Sequence, residues 1–224
     1  MNSKARRLTV IVGIGLGLML QLTTAFADTR AFNELSGEWW QWSSSIPASE
    51  NPLLDATGEK CVVGQHGSLW FLAGNFGGTT TRSCSVPAGK DLFFPVINSI
   101  QADTPNVCGQ GSANITIKEL RAIAASFIDG ASNLSVEVDG APIKYRRTQS
   151  KVFELSVPAG NMFDVPCGGF PAEIYSPAID DGYYVLLNPL SVGEHTIHIH
   201  SENVSASFVL DVTYHLTVVP VILK

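Results

Sequence analysis

The chain has 224 residues, of which 45% are hydrophobic and 15% charged, and its formal net charge is −6 at pH 7. This length supports one sizeable hydrophobic core or two small ones, and no linker rich in Pro or Ser separates two halves. An acidic surface repels phosphate backbones and anionic lipid headgroups, so nucleic acids and membrane surfaces are disfavoured as partners.

Residues 1–27 have the three-part pattern of a cleavable secretory signal. Basic residues precede an apolar stretch, which is shorter than the roughly 20 residues that cross a bilayer, and Ala25 and Ala27 form an A-x-A cleavage site. Cleavage would leave residues 28–224 as a single domain with a net charge of −9. We expect this domain to be secreted or periplasmic, with no membrane span.

The beginning of the exported part predicts a short helix over residues 33–45, which Pro47 ends. This helix carries three tryptophans, Trp39, Trp40 and Trp42. Large aromatic residues on such a helix usually pack into the domain. The alternative is that Trp39 and Trp40 form an exposed binding surface.

Three β-rich runs follow, over residues 68–73, 79–86 and 91–97, and turns containing Gly or Pro separate them. This pattern predicts strands connected by hairpins. The third run is apolar on both faces, which is typical of a central buried strand, and Pro95 within it implies a bulge or the strand's end.

Four cysteines lie in the exported part, and in an oxidising compartment an even number predicts disulfides. Three connectivities are possible. We expect Cys61–Cys84, which would bracket a hairpin, and Cys108–Cys167, which would tie together two long loops. The closely spaced cysteine pairs of zinc sites are absent.

A second helix is predicted after Thr116, because Thr116 and Glu119 have the spacing of a capping box. In that motif each side chain accepts a hydrogen bond from the other residue's backbone N–H. Gly130 ends the helix, and its apolar stripe consists of Leu120, Ile123, Ala124 and Phe127. Such an amphipathic helix covers one side of a sheet.

The remaining sequence is almost entirely β-like, with alternation over residues 134–138 and a predicted turn at Asp139-Gly140. In the last long strand, the even-numbered residues of 206–218 are apolar and most odd-numbered ones are polar. One core face and one solvent face indicate an all-β fold, an antiparallel β-sandwich of immunoglobulin-like or jelly-roll-like type. The short N-terminal helix and one covering helix complete it.

Several stretches together resemble a family of uncharacterised secreted bacterial proteins: WWQW at 39–42, WFLAG at 70–74, VPAGK at 86–90 and DVTY at 211–214. The resemblance spans most of the mature chain and implies no activity or site residue. Residues 190–197 also resemble the closing hairpin of bacterial immunoglobulin-like domains, which bears on architecture alone.

The strongest metal-binding candidate is the pair His198 and His200, because alternate residues of a strand point the same way. With a turn near residues 202–204, His198 would face Val209. Asp211 would then lie nearly diagonal to His198 and could complete a set of two histidines and one carboxylate. The alternative is that both histidines simply face solvent.

His66 lies in a loop flanked by Gly64 and Gly67, just before the aromatic strand, and could serve as a general base, a ligand or a binding group. An ordinary surface histidine is the alternative. The motifs of common nucleophilic, zinc and phosphate-binding enzymes are missing. A serine triad stays open, because geometry rather than sequence order defines it.

These observations lead to two functional hypotheses. The first is a non-enzymatic binding or structural protein of the cell envelope or extracellular space, without a cofactor. It would recognise glycan or another envelope component through Trp39, Trp40 or Tyr183, with His66. The second is a secreted enzyme acting on polysaccharide, or a protein that binds metal through His198 and His200. A shallow aromatic surface favours the first hypothesis, and a pocket where histidines meet carboxylates favours the second.

Overall fold

The computed structural model describes residues 32–221, and the predicted signal at 1–27 lies outside them. The helices are α1 (Phe32–Ser44), α2 (Ile117–Asp129) and the short α3 (Asp164–Cys167). The strands are β1 (Leu69–Phe71), β2 (Gly78–Pro87), β3 (Asp91–Ala102), β4 (Ala131–Val138), β5 (Ala141–Pro142), β6 (Arg146–Gln149), β7 (Phe153–Val157), β8 (Glu173–Leu187), β9 (Gly193–Asn203) and β10 (Phe208–Val219).

The strands form two five-stranded sheets, as a β-rich sandwich requires. The first sheet has the order β1-β3-β8-β6, with β7 also paired to β8, and the second has the order β2-β10-β9-β4-β5. The predicted β-rich sandwich is confirmed, with mixed sheets: β1 with β3 and β2 with β10 are parallel, and the other strand pairs are antiparallel. The predicted hairpins among the first three strands are wrong, because β2 lies in the other sheet from β1 and β3.

Apolar side chains of both sheets form the core between them, and the predicted alternation of the last strand is confirmed. Leu210, Val212, Tyr214, Leu216 and Val218 of β10 are buried, whereas the residues between them are exposed or half-buried. Strand β3 is buried on both faces from Leu92 to Ile97 and has a register shift after Pro95, both as predicted.

Helix α1 explains the burial of β3, because it covers the outer face of the first sheet. Its tryptophans pack there with Phe93 and Tyr184. Trp39 is 1% exposed and Trp40 5% exposed, and the indole N–H of Trp39 donates to the carbonyl of Leu72 at 3.0 Å. The packing interpretation is therefore confirmed, and the exposed surface suggested for Trp39 and Trp40 is wrong.

Helix α2 begins with the predicted capping box. The Thr116 hydroxyl accepts from the backbone N–H of Glu119, whose carboxylate accepts from the N–H of Thr116. The buried residues are Leu120, Ala124 and Ile128, whereas Ile123 is 47% exposed. The buried stripe is thus rotated from the predicted one, since α2 packs against β8 and β3 at an angle that its own periodicity does not specify.

Both predicted disulfides are present, Cys61–Cys84 and Cys108–Cys167. The bond Cys61–Cys84 does not bracket a hairpin as expected, because Cys84 lies on β2 of the second sheet. Two such bonds suggest an oxidising environment outside the cytoplasm. Among residues 32–221, no helix is long and apolar enough to cross a membrane.

Candidate functional site

A buried carboxyl group, Asp180, lies where β8 meets α1. The Trp40 indole N–H and the Tyr184 hydroxyl each donate to one of its oxygens, both at 2.8 Å. Asn98 in turn donates to the Tyr184 oxygen at 3.0 Å. Burial raises the pKa of Asp180 to about 8, and the two hydrogen bonds oppose this shift. Asp180 has no exposed surface, so this cluster holds α1 on the sheet and does not face a ligand.

The neighbouring Asp181 points to the other face of β8 and is also almost fully buried. Arg147 donates to both of its oxygens, at 3.0 and 2.9 Å, and Gln149 donates to one at 3.0 Å. Arg147 also contacts Asp129 at the end of α2. This network is structural, because its donors occupy the carboxylate and fasten α2 and β6 to β8.

A serine, a histidine and an aspartate meet at the turn before β9. His195 Nδ1 lies 2.7 Å from Asp139, and Nε2 lies 3.2 Å from the Ser191 hydroxyl. However, Nε2 is closer to the Ser191 carbonyl oxygen, at 2.9 Å, and a nitrogen this close to a carbonyl must carry a proton. The pKa of His195 is raised, first by the hydrogen bond to Asp139. His195 therefore clamps the turn, and its Nε2 is not free to act as the general base of a serine triad.

His198, His200 and Asp211 do come together on the outer face of the second sheet. Asp211 lies directly opposite His200, and Thr213 lies opposite His198, so the predicted pairing of His198 with Val209 is wrong. Asp211 lies 3.1 Å from His200 and 3.4 Å from His198, so it is shared between the two rings. Within residues 32–221, no group of three or more His, Cys, Asp or Glu side chains could hold a metal ion.

His66 lies at a cleft of about 490 Å³ between α1 and the loop before β1. We call this the His66 cleft. The α1 wall consists of residues spaced as one helix face, Glu38, Gln41, Trp42 and Ser45. The opposite wall consists of Gly64, His66, Gly67, Ser68, Leu69 and Phe71. The rings of Trp42 and Phe71 lie 5.4 Å apart.

Hydrogen bonds fix the loop that carries His66. The Gln65 amide accepts from the Phe71 N–H at 2.9 Å and donates to the Phe71 carbonyl at 2.8 Å. The indole N–H of Trp42 donates to the carbonyl of Val63 at 3.0 Å. Gln65 thus points inward while His66, the next residue, is exposed. The role of Gln65 was missed from sequence, since a glutamine in a Gly-flanked loop gives no signal of its partner.

Tyr183 is not part of this cleft. Its ring is half-buried, packs against the core between the sheets and meets Tyr145 edge-on at 5.7 Å. The adjacent Tyr184 joins the α1 side, so Tyr183 and the His66 cleft lie on opposite faces of the first sheet. Of the four residues suggested for binding, only His66 borders a cleft together with accessible polar groups.

Comparisons of the chain with family models, curated proteins and solved structures found no match in any of the three.

Proposed function

We propose that this chain is an exported, non-enzymatic binding protein of the periplasm or extracellular space, and that it binds glycan in the His66 cleft. The observation that carries the proposal is the composition of this cleft, in which two aromatic rings adjoin polar side chains on fixed walls. The two disulfides and the secretory pattern of residues 1–27 support export.

The cleft suits a sugar ring chemically. A pyranose has apolar C–H faces, which pack on aromatic rings, and hydroxyl groups, which both donate and accept hydrogen bonds. The Phe71 ring is half-buried and offers part of its surface, while Gln41, His66 and Ser68 are exposed beside it. The volume lies within the range of roughly 300 to 1,000 Å³ typical of small-molecule sites.

Two acid and base candidates outside the cleft are held in structural contacts, whereas His66 and Glu38 both line the cleft and are the groups through which an enzyme would act there. His195 is held between a carboxylate and a carbonyl oxygen, and Asp180 is sealed under α1. Neither group can reach a substrate atom in this arrangement. The fixed loop and the exposed His66 instead resemble a preorganised binding surface, which reduces the entropy lost on binding.

The test is retention of the oxidised mature protein on a panel of immobilised polysaccharides, with the soluble fraction analysed by mass spectrometry. For a retained glycan, we expect His66→Ala to weaken binding about tenfold, the loss expected for one hydrogen bond of about 1.4 kcal/mol. His215→Ala is the matched control, because His215 is exposed on the outer face of the second sheet.

Equal weakening by both variants, or no retention by any polysaccharide, would contradict the proposed site. New oligosaccharides in the soluble fraction would show that the protein is an enzyme.

A further inference from the structure

A separate cavity of about 340 Å³ lies beside the second disulfide, and we call it the disulfide cavity. The end of β3 and Leu155 of β7 form one side, and the loops joined by Cys108–Cys167 form the other. A more open cleft lies across the disulfide and shares Cys108, Cys167 and Phe170 with it. The disulfide cavity is distinct from the His66 cleft, because the two have no lining residue in common.

The walls are mainly apolar and carry no charge. The apolar lining residues are Ile100, Ala102, Ile115, Leu155, Phe163 and Phe170. The rings of Phe163 and Phe170 lie 5.2 Å apart at 41°. The polar lining side chains are Gln101, Thr104 and Gln110, which are neutral. A charged ligand would lose its hydration here without gaining an opposite charge, so the cavity selects against ions.

Hydrogen bonds of Gln110 and the disulfide Cys108–Cys167 fix the shape of the cavity. Gln110 accepts from the N–H of Thr104 at 2.7 Å and donates to Asp103 at 2.6 Å and to the carbonyl of Ala113 at 2.9 Å. The disulfide joins this loop to the loop of Phe163 and Phe170, 59 residues away in sequence. These bonds hold both walls in place, as in a preformed small-molecule site.

We propose that the disulfide cavity binds a small, neutral, apolar molecule with one or two aromatic ring systems. The size excludes a folded helix or strand, and a peptide backbone would bring polar groups that the apolar walls cannot satisfy. The aromatic pair offers edge and face contacts to a ring, and the neutral amide of Gln101 offers a hydrogen bond to a hydroxyl or amine.

The test uses N-phenyl-1-naphthylamine, a neutral two-part aromatic probe whose fluorescence rises in apolar surroundings, with the oxidised mature protein. We expect saturable binding at one site. Ala102→Phe places a ring in the cavity and should weaken probe binding at least tenfold. Ala141→Phe is the matched control, since Ala141 is exposed on the short strand β5 and should leave binding unchanged.

Circular dichroism establishes that each variant is folded. If Ala102→Phe fails to fold, Ile115→Trp fills the cavity from the loop side and decides the question in the same way. The proposal is overturned if the parent shows no saturable binding, if a folded cavity variant binds the probe like the parent, or if Ala141→Phe loses binding equally.

Discussion

Replacing Asp180 by asparagine removes a fully buried carboxyl group whose pKa is strongly raised by the fold. Its pKa is about 8 in the folded protein, against an ordinary value of 3.8, chiefly because burial disfavours the charged form. Between these two values the folded chain keeps a proton that the unfolded chain releases. The contribution of the protonated Asp180 to the stability of the folded chain is therefore complete below about pH 4 and is lost as the pH rises through 8.

The size of the effect follows from this difference in pKa. Each unit corresponds to about 1.4 kcal/mol, so between pH 5 and pH 8 the group lowers the free energy of unfolding by roughly 3 to 4 kcal/mol. An asparagine has the same shape and no charge. Its oxygen can accept from Trp40, and its amide can donate to the oxygen of Tyr184, which reverses the hydrogen bond that Tyr184 donates to the acid.

The assay is urea denaturation of the parent and the Asp180→Asn variant at pH 5 and pH 8. We expect the parent to lose roughly 3 to 4 kcal/mol more than the variant over this interval, because all other titrating groups are shared. Glu59→Gln, which neutralises an exposed loop carboxylate, should retain the parent's pH dependence. Parallel curves for the parent and Asp180→Asn would refute the reasoning, as would a carboxyl titration by NMR near pH 4.

Three further substitutions test other parts of the fold. His195→Gln should lower the free energy of unfolding by less than about 1 kcal/mol near pH 6 and by less still at pH 9. The raised pKa of His195 makes its contribution disappear as the pH rises through that value, and urea denaturation at both pH values checks this. Arg82→Met should lower the free energy of unfolding by about 3 kcal/mol or more in the same assay, because it removes the hydrogen bonds that Arg82 donates to the carbonyls of Leu53, Asp55 and Gly74; a loss under 1 kcal/mol would contradict this. Removing Cys61–Cys84 with a double serine variant should cost about 3 kcal/mol for a separation of 23 residues, measured by thermal unfolding against the oxidised parent.

The features predicted correctly from sequence are those with a local cause. The capping box at Thr116 involves atoms three residues apart, and the alternation in β10 follows from strand geometry alone. The burial of β3 on both faces could be predicted because a strand between two apolar layers has apolar residues at every position.

The candidate site could be predicted only in part. His66 is identifiable as a histidine in a Gly-flanked loop before a strand, but its neighbours across the cleft come from α1 and the residue that follows it, all more than twenty positions earlier. The predicted register of β9 with β10 is wrong, because a 3-10 turn at Val204–Ala206, capped by Asn203, moves the reversal of the chain toward β10. That shift places Asp211 opposite His200.

The sequence by itself therefore determined where the two long helices and most strands lie, which face of β10 is apolar, and that the cysteines pair. Only the tertiary structure decided which sheet each strand joins, which aromatic residues remain accessible, and that His195 is held by Asp139 and a carbonyl oxygen. The physical reason is that periodicity records whether a residue faces the core, whereas the identity of its partner depends on contacts between segments far apart in the chain.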